Sequence, residues 1–420
     1  MDWRTLTHEG QTFTLYPDLL SWHPGRPIPG ILVEDRGAPD YDFARNEFDH
    51  LLICVTNRCN ITCDYCFRGF NMSKVRELEY DDLTEVADHF LARAQHNPTF
   101  QFTGGEVFVK RDIARWFAYL HERDFRIWMT TNGVSDRITS DEVLASLAGN
   151  PRAHVRISCD GHMAELYERH RGKPGTFAKV ERNIRDLVAA GVPVSLKSVI
   201  TSENFGYVEE ILDWCYDLGV LGWNYNVIRY TGAQADRPPE DATCKSSGKI
   251  DYLGYEQLGR KLVDIVSRKP HLAPLLGISR FGKIMDTLYS RHPHGVPMSY
   301  YVLNYDGNVY YNDNLFREEF TGGNIWTDGV SAFRGLPEFR SRFDRALACC
   351  NKCPIQGFCF QKGDYGELYQ RDPTMSAGDL EFPNCEDIRR HHADLMGLGR
   401  KGSEVLRSIH SFGPRFPRPQ

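Results

Sequence analysis

The chain has no apolar run long enough to span a membrane. Its opening, MDWRTLTHEG, has neither an apolar core segment nor a small-residue cleavage site, so no secretory signal is expected and the expected location is cytoplasmic. An excess of positive charge is also missing. The net charge of −6 offers no general attraction to nucleic acid or to an anionic membrane. There is no internal repeat and no long low-complexity tract. The 12 cysteines, in a chain read as unexported, do not point to disulfides, because the cytosol keeps thiols reduced. Metal or cluster ligation accounts for them better. At 420 residues, with 41% hydrophobic and 25% charged, the composition is that of a globular protein with one large domain and a smaller one.

What is present concentrates in LLICVTNRCNITCDYCFRGF, residues 51–70. The apolar start reads as a buried parallel strand. It runs into a polar loop with Cys59, Cys63 and Cys66, spaced C-x3-C-x2-C. Three thiolates can hold three irons of a cubane cluster, leaving the fourth iron for a small molecule. A zinc site or a set of spare thiols is the other reading, but zinc spacings usually come as paired CxxC units with four ligands.

From Phe48 onward, strand and helix patterns alternate. Strands are expected at 50–55, 99–103, 126–131, 153–158, 193–199 and 223–228. Helices are expected at 80–95, 111–122, 140–147, 176–190 and 207–218. Six β/α units in parallel order would wrap into an incomplete barrel, with functional residues at the C-terminal strand ends. Residues 231–300 break the alternation and read as a linker with a helix at 253–268, and His292 and His294 there read as an exposed loop. Residues 1–47 read as an N-terminal extension with one short strand near 12–16, and 399–420 as a basic, solvated tail.

The cysteine loop at the end of a first strand resembles the signature of the radical S-adenosylmethionine (radical SAM) enzymes. The resemblance implies an α/β fold: a partial (β/α)6 barrel over 48–230, with a smaller C-terminal SPASM/twitch-like iron–sulfur domain over 301–398. It also implies that SAM binds the open iron and is cleaved reductively to a 5′-deoxyadenosyl radical. Tyr65 matches an aromatic position that packs near the adenine in the family. Gly104, Gly105 and Glu106 resemble the GGE motif, which recognises the SAM amine; the glycines would let the ligand approach the backbone. Asn132 lies in a TNG segment, and Ser158 and Asp160 lie in a segment like ISxDG, near the SAM ribose and carboxylate. Arg171 would be a carboxylate partner, and Lys197 and Asn204 match polar positions around strand five.

Cys350, Cys353 and Cys359, with Cys385 downstream, suffice for a complete 4Fe–4S cluster or a zinc site. They resemble part of the SPASM pattern. Asn312, Asp328 and Gly363 stand where three ligands of the inner auxiliary cluster are expected, so the resemblance implies only the outer cluster. Two 4Fe–4S clusters are therefore expected, one SAM-binding and one auxiliary. The implied function is hydrogen abstraction for oxidative modification of a peptide (crosslink, dehydrogenation or epimerisation) in natural-product biosynthesis, with a reducing partner such as flavodoxin or ferredoxin. The alternatives are a radical dehydrogenase, epimerase or decarboxylase acting on a sugar, aminoglycoside or nucleoside, or a non-catalytic electron carrier or zinc-binding protein. Asp306, Asp313, Asp364 and Tyr365 are candidate general bases, and Cys159 a candidate hydrogen donor.

Overall fold

The computed structural model describes residues 50–66, 76–93, 98–171, 173–227, 252–279, 301–310, 321–335 and 397–410, with short pieces at 5–8, 11–16, 21–24, 281–282, 285 and 394–395. The chain divides into two compact units. One comprises 42–249 and 299–341, the other 1–41, 250–298 and 342–420.

In the second of these units, β1 (Thr5–His8), β2 (Gln11–Tyr16) and β3 (Ser21–Pro24) form an antiparallel sheet in sequential order. Only the middle strand was expected from the sequence. Helix α7 (Tyr252–Arg268) is followed by a 3-10 segment, Pro270–Leu276. Helix α8 (Arg400–His410) packs on both. It lies where a solvated tail was expected, and Val405, Leu406 and Ile409 are buried. Those three positions share one helical face, which drives docking despite the basic composition around them.

The other unit is built on a nine-stranded sheet. Its strands are β4 (His50–Cys54), β5 (Thr99–Thr103), β6 (Arg126–Thr131), β7 (Ala153–Ser158), β8 (Val194–Ile200), β9 (Gly222–Val227), β10 (Tyr301–Leu303), β11 (Asn308–Tyr310) and β12 (Thr321–Asn324). The order is β12-β11-β10-β4-β5-β6-β7-β8-β9. Strands β4 to β9 are parallel, each paired to the next. Between them run α1 (Tyr80–Leu91), α2 (Ile113–Glu122), α3 (Asp141–Leu147), α4 (Ala164–Arg171), α5 (Phe177–Ala189) and α6 (Val208–Asp217). Five of these helices match the periodicity of the sequence. Helix α4 does not, because half of the residues it buries are polar: Leu166 and Tyr167 are joined by His170 and Arg171.

One face of the sheet packs on helices. Phe100 meets Phe90 of α1 edge-on at 6.0 Å, and Phe102 meets Phe117 of α2 at 5.2 Å. The opposite face, carrying Gln101, Trp128, His154, Arg156 and Lys197 on alternate positions, is polar. A parallel sheet covered by helices on both sides would be apolar on both. A polar inner face is what a barrel lumen requires when it holds a ligand rather than a core.

Strand β10 pairs in parallel with β4, matching Val302 to Leu52, and β11 and β12 continue antiparallel. Residues 301–310 and 321–324 thus extend the sheet that carries the cysteine loop. Residues 350, 353, 359 and 385 lie outside the described residues, as do 312, 313, 364 and 365.

Phe102 is fully buried between Trp116 and Phe117. Phe102→Ala is expected to cost about 3–5 kcal/mol, read as a lower urea midpoint with unchanged slope.

Candidate active site

Pairing continues past β4, with Val55 N–H donating to Thr103 O at 2.9 Å. The chain then crosses directly over the exit of β5. Gly105 N–H donates to Thr56 O at 2.7 Å, and Glu106 N–H to Arg58 O at 2.9 Å. A Cβ on Gly104 (φ +141°) would stand 2.5 Å from Thr56 O, and one on Gly105 2.2 Å from Arg58 O. The space a side chain would need at these glycines is therefore taken by the backbone of the cysteine loop. They seat that loop on the sheet. Arg58 adds an ion pair to Glu77 at 2.7 Å, and Glu77 also accepts from the Thr56 hydroxyl.

Cys59, Cys63 and Cys66 are free thiols. Burial pushes Cys63 up to about 12 and raises Cys59 as well. Cys66 adds to the rise at Cys59, and Cys66 and Cys59 add to the rise at Cys63, which places the three in one electrostatic neighbourhood. Thiols held this way need a cation to ionise, and bound iron supplies it. Among the described residues, no three His, Cys, Asp or Glu groups could hold one metal ion. A cubane fits such spacing, because each thiolate binds a different iron. Asn132 Nδ2 lies 3.7 Å from Cys59 Sγ and donates to Asn60 Oδ1 at 2.7 Å.

Glu106 is buried beside this loop. Its Oε1 accepts from Phe108 N–H at 3.1 Å and the Thr131 hydroxyl at 2.6 Å. Oε2 accepts from Asn132 N–H at 2.8 Å. A carboxylate offers about four acceptor positions, so one on Oε2 remains. Burial raises its affinity for a proton despite these donors.

Asp160 is fully buried and receives Arg171 Nε at 2.8 Å, Arg171 Nη2 at 3.1 Å and Val199 N–H at 2.7 Å. The Tyr65 hydroxyl donates to it too. Burial disfavours the charge of Arg171, yet Asp160, together with Tyr65, Cys63 and Tyr167, outweighs it and holds the guanidinium well above its ordinary pKa. Both residues, expected near SAM, pair with each other. Tyr65 is tied to the same pair, with the Arg171 guanidinium carbon 5.7 Å from its ring centre. Ser158 and Lys197 are cross-strand partners. With its amide oriented to satisfy both neighbours, Asn226 accepts from Lys197 Nζ at 3.2 Å. Asn204 donates to Asp160 O at 2.9 Å and Val199 O at 2.8 Å, closing the β8 end.

Three other residues are drawn in that the sequence did not single out. His170 sits 3.2 Å from Asp64 and carries its carbonyl to Asp64 N–H, bracing the cysteine loop. The Tyr167 hydroxyl reaches Asn132 O at 3.4 Å, and Lys173 Nζ reaches Asn60 O at 2.9 Å. The first two lie on α4, so their roles were as hidden as the helix. Asp306 caps its own hairpin through Asn304 Nδ2 (3.0 Å) and Asn308 N–H (3.1 Å). Cys159 is buried, donates to Gly161 O at 3.3 Å, and is pushed up to about 12 by burial.

Across the inner face runs a chain of contacts. His50 lies 3.0 Å from Gln101 Oε1 and edge-on to Trp128 at 5.8 Å. Trp128 meets His154 at 5.7 Å, and His154 Nε2 pairs with Ser195 Oγ at 2.8 Å. Burial lowers His50 to about 4 and His154 to about 3.

Residues 53–215 match the family described as the Radical SAM superfamily. The chain carries a radical SAM domain. That domain runs from β4 through α6, with the three cysteines at its start. The chain is 24% identical over 357 residues to the antilisterial bacteriocin subtilosin biosynthesis protein AlbA of Bacillus subtilis, covering 82% of this chain and 74% of that protein. It is 28% identical over 388 residues to the mycofactocin maturase MftC of Mycobacterium ulcerans, covering 88% and 97%. Against the AdoMet-dependent heme synthase of Oleidesulfovibrio alaskensis it is 31% identical over 204 residues, 48% of this chain and 51% of that protein. The chain thus spans about half the length of this last relative. In fold it is similar to native anSMEcpe with bound AdoMet and Cp18Cys peptide, with a TM-score of 0.64, 17% identity, and coverage of 84% and 98%. The fold is of the same type. Among the described residues, no helix is long and apolar enough to cross a membrane.

Gly105→Ala is expected to lower stability by about 1–3 kcal/mol and reduce iron uptake at the radical SAM loop, measured as iron per chain after anaerobic reconstitution. Gly206→Ala, with nothing within 4 Å of the added Cβ, is the control. A second expectation concerns pH. His50 has a depressed folded pKa, so its stabilising contribution is present above pH 6.5 and is lost as pH falls toward about 4. The loss amounts to about 3 kcal/mol at most. Urea midpoints of the wild type should fall between pH 6.5 and 4.5, and His50→Gln should flatten that fall.

Proposed function

We propose that this chain is a peptide-modifying radical SAM enzyme that abstracts a substrate hydrogen atom, either oxidising the peptide to a crosslink or a dehydrogenated residue, or, where a hydrogen atom is returned to the opposite face, forming an epimer without net oxidation. The observation that carries the reading is the three-thiol loop seated on the C-terminal ends of β4 and β5, beside Asn132 and the Asp160–Arg171 pair. The peptide assignment is supported by the alignments that span most of both chains, which are to a bacteriocin biosynthesis protein and a maturase. The similar solved structure that holds AdoMet also holds a peptide. The heme synthase, by contrast, aligns over only half its length.

Cys59, Cys63 and Cys66 would hold a 4Fe–4S cluster and leave one iron for SAM. When bound there, SAM supplies a 5′-deoxyadenosyl radical that removes a hydrogen atom from the substrate. The chain's own residues position and insulate. The Asn132 amide beside Cys59 would stabilise thiolate charge. Glu106 keeps one acceptor position on Oε2 for an ammonium group. The buried Arg171, neutralised by Asp160 and braced by Tyr65, holds a cation next to Cys63 without leaving a free charge. Gly104 and Gly105 hold the loop down, and Ser158 and Lys197 line the inner face below it. Cys350, Cys353, Cys359 and Cys385 would hold an auxiliary 4Fe–4S cluster with no open iron, suited to accepting an electron from the substrate. A small reductase partner such as flavodoxin or ferredoxin would supply the initiating electron.

Iron and sulfide are measured after anaerobic reconstitution, in the wild type and in the Cys59→Ala/Cys63→Ala/Cys66→Ala variant. About eight irons falling to about four is expected, with 5′-deoxyadenosine formed by the wild type alone. Unchanged iron, or deoxyadenosine from the variant, would overturn the assignment of the loop. About four irons falling to none would remove the auxiliary cluster.

A further inference from the structure

We infer that Arg156, with Lys197 beside it, forms a carboxylate-binding subsite on the inner face of the sheet, and that it takes a carboxylate of the substrate. The two arginines of this unit's interior make the contrast. Arg171 is met by both oxygens of Asp160. Arg156 has no ion pair among the described residues, and its Nε is buried without a hydrogen-bond partner. Burial lowers its pKa, and no described acid counters that loss. Arg156 as a whole is half-buried, and a guanidinium that faces the lumen with its buried Nε unfilled is better satisfied when an anion meets it.

Among the described residues none supplies such an anion. Arg156 lies in register with Thr130 on β6 and Ser195 on β8. His50 and His154, whose positive charge Arg156 opposes, are held neutral. Lys197 is two positions further toward the C-terminal strand ends on the neighbouring strand, on the same face. It brings a second cation, with Asn226 at its Nζ. An arginine without an ion pair among the described residues, with a lysine on the same polar face, matches a carboxylate, which the planar fork of arginine binds through two parallel hydrogen bonds. Ser158 lies one layer above Arg156 on β7, toward the cysteine loop. The subsite is thus deeper in the lumen than the loop, where the remote end of a substrate would be gripped while its reacting carbon faces the loop. The carboxylate comes from an acidic side chain or from the chain's C-terminus. Only this choice of source rests on the peptide reading above.

The test measures binding without turnover, by titration calorimetry on the reconstituted full chain. The probes are N-acetyl-glutamate N-methylamide, N-acetyl-glycyl-glycine and the neutral N-acetyl-glutamine N-methylamide. At least one carboxylate probe should bind about tenfold or more tightly than the neutral one, and which of the two does so names the source. Arg156→Gln should remove the difference and Arg156→Lys should restore part of it. Lys197→Met should weaken the same probe, which keeps the test open should Arg156→Gln lose its circular dichroism signature. Equal binding of the neutral probe, or carboxylate binding undiminished in both Arg156→Gln and Lys197→Met, would overturn the subsite. Displacement by S-adenosylhomocysteine would overturn it in favour of the cofactor's own carboxylate, and tighter binding of inorganic phosphate in favour of a phosphoryl group. Deoxyadenosine formation by the wild type is scored separately. Probe binding without SAM cleavage would sink the proposed function and leave the subsite standing, and cleavage without probe binding would do the reverse.

Discussion

Everything in the site hangs on two backbone segments that touch. Residues 56–58 lie across residues 104–106 so closely that neither glycine there can carry a side chain. Two hydrogen bonds, from Gly105 and Glu106 to the carbonyls of Thr56 and Arg58, lock the crossing. The same turn points the Glu106 carboxylate sideways into Thr131 and Asn132, which in turn sets the Asn132 amide against Cys59. One contact thus orders the ends of three strands, and a cysteine loop that would otherwise be a floppy excursion becomes a rigid rim. Rigid placement of this kind is what a site that must aim a reactive group demands.

A second organising element is the balance of buried charge. Asp160 and Arg171 cancel, and Tyr65 and the Val199 amide complete the carboxylate's hydrogen bonds. Removing either partner would strand a charge in the interior, which is far worse than never having buried the pair. Deeper in the lumen the balance tips the other way. There the histidines are neutral and the arginine stands without a described counter-ion, so the interior is electrically closed at the rim and open below it.

Much of this was legible in the sequence, for identifiable reasons. The strands read clearly because their apolar residues alternate or run together, and five of the barrel helices because their buried stripes are apolar. The cysteine spacing pointed to a cluster loop because three thiols in eight residues have few other uses. Helix α4 was hidden because its inward face carries His170 and Arg171, whose place in the interior depends on Asp64 and Asp160, distant in sequence. The glycines were recognised as marking a close approach, but that the backbone of residues 56–58 is one group that approaches them could not be named from sequence. Helix α8 was missed because basic residues outnumber its apolar stripe. The strands at 301–324 were missed as part of the barrel sheet because their pairing is not local.

That last pairing bears on how the molecule is made. Strand β4, which delivers the cysteine loop, gains its second neighbour only from Val302, about 250 residues later in the chain. While the ribosome is still producing the middle of the protein, one edge of β4 has no partner, and an unpaired apolar edge invites association with other chains. The strand is completed after nearly three quarters of the chain has emerged, so the loop it carries acquires its final support late. Loading of a cluster into a finished seat is therefore an event that follows synthesis, and a truncated chain ending before residue 301 would expose the edge most in need of cover.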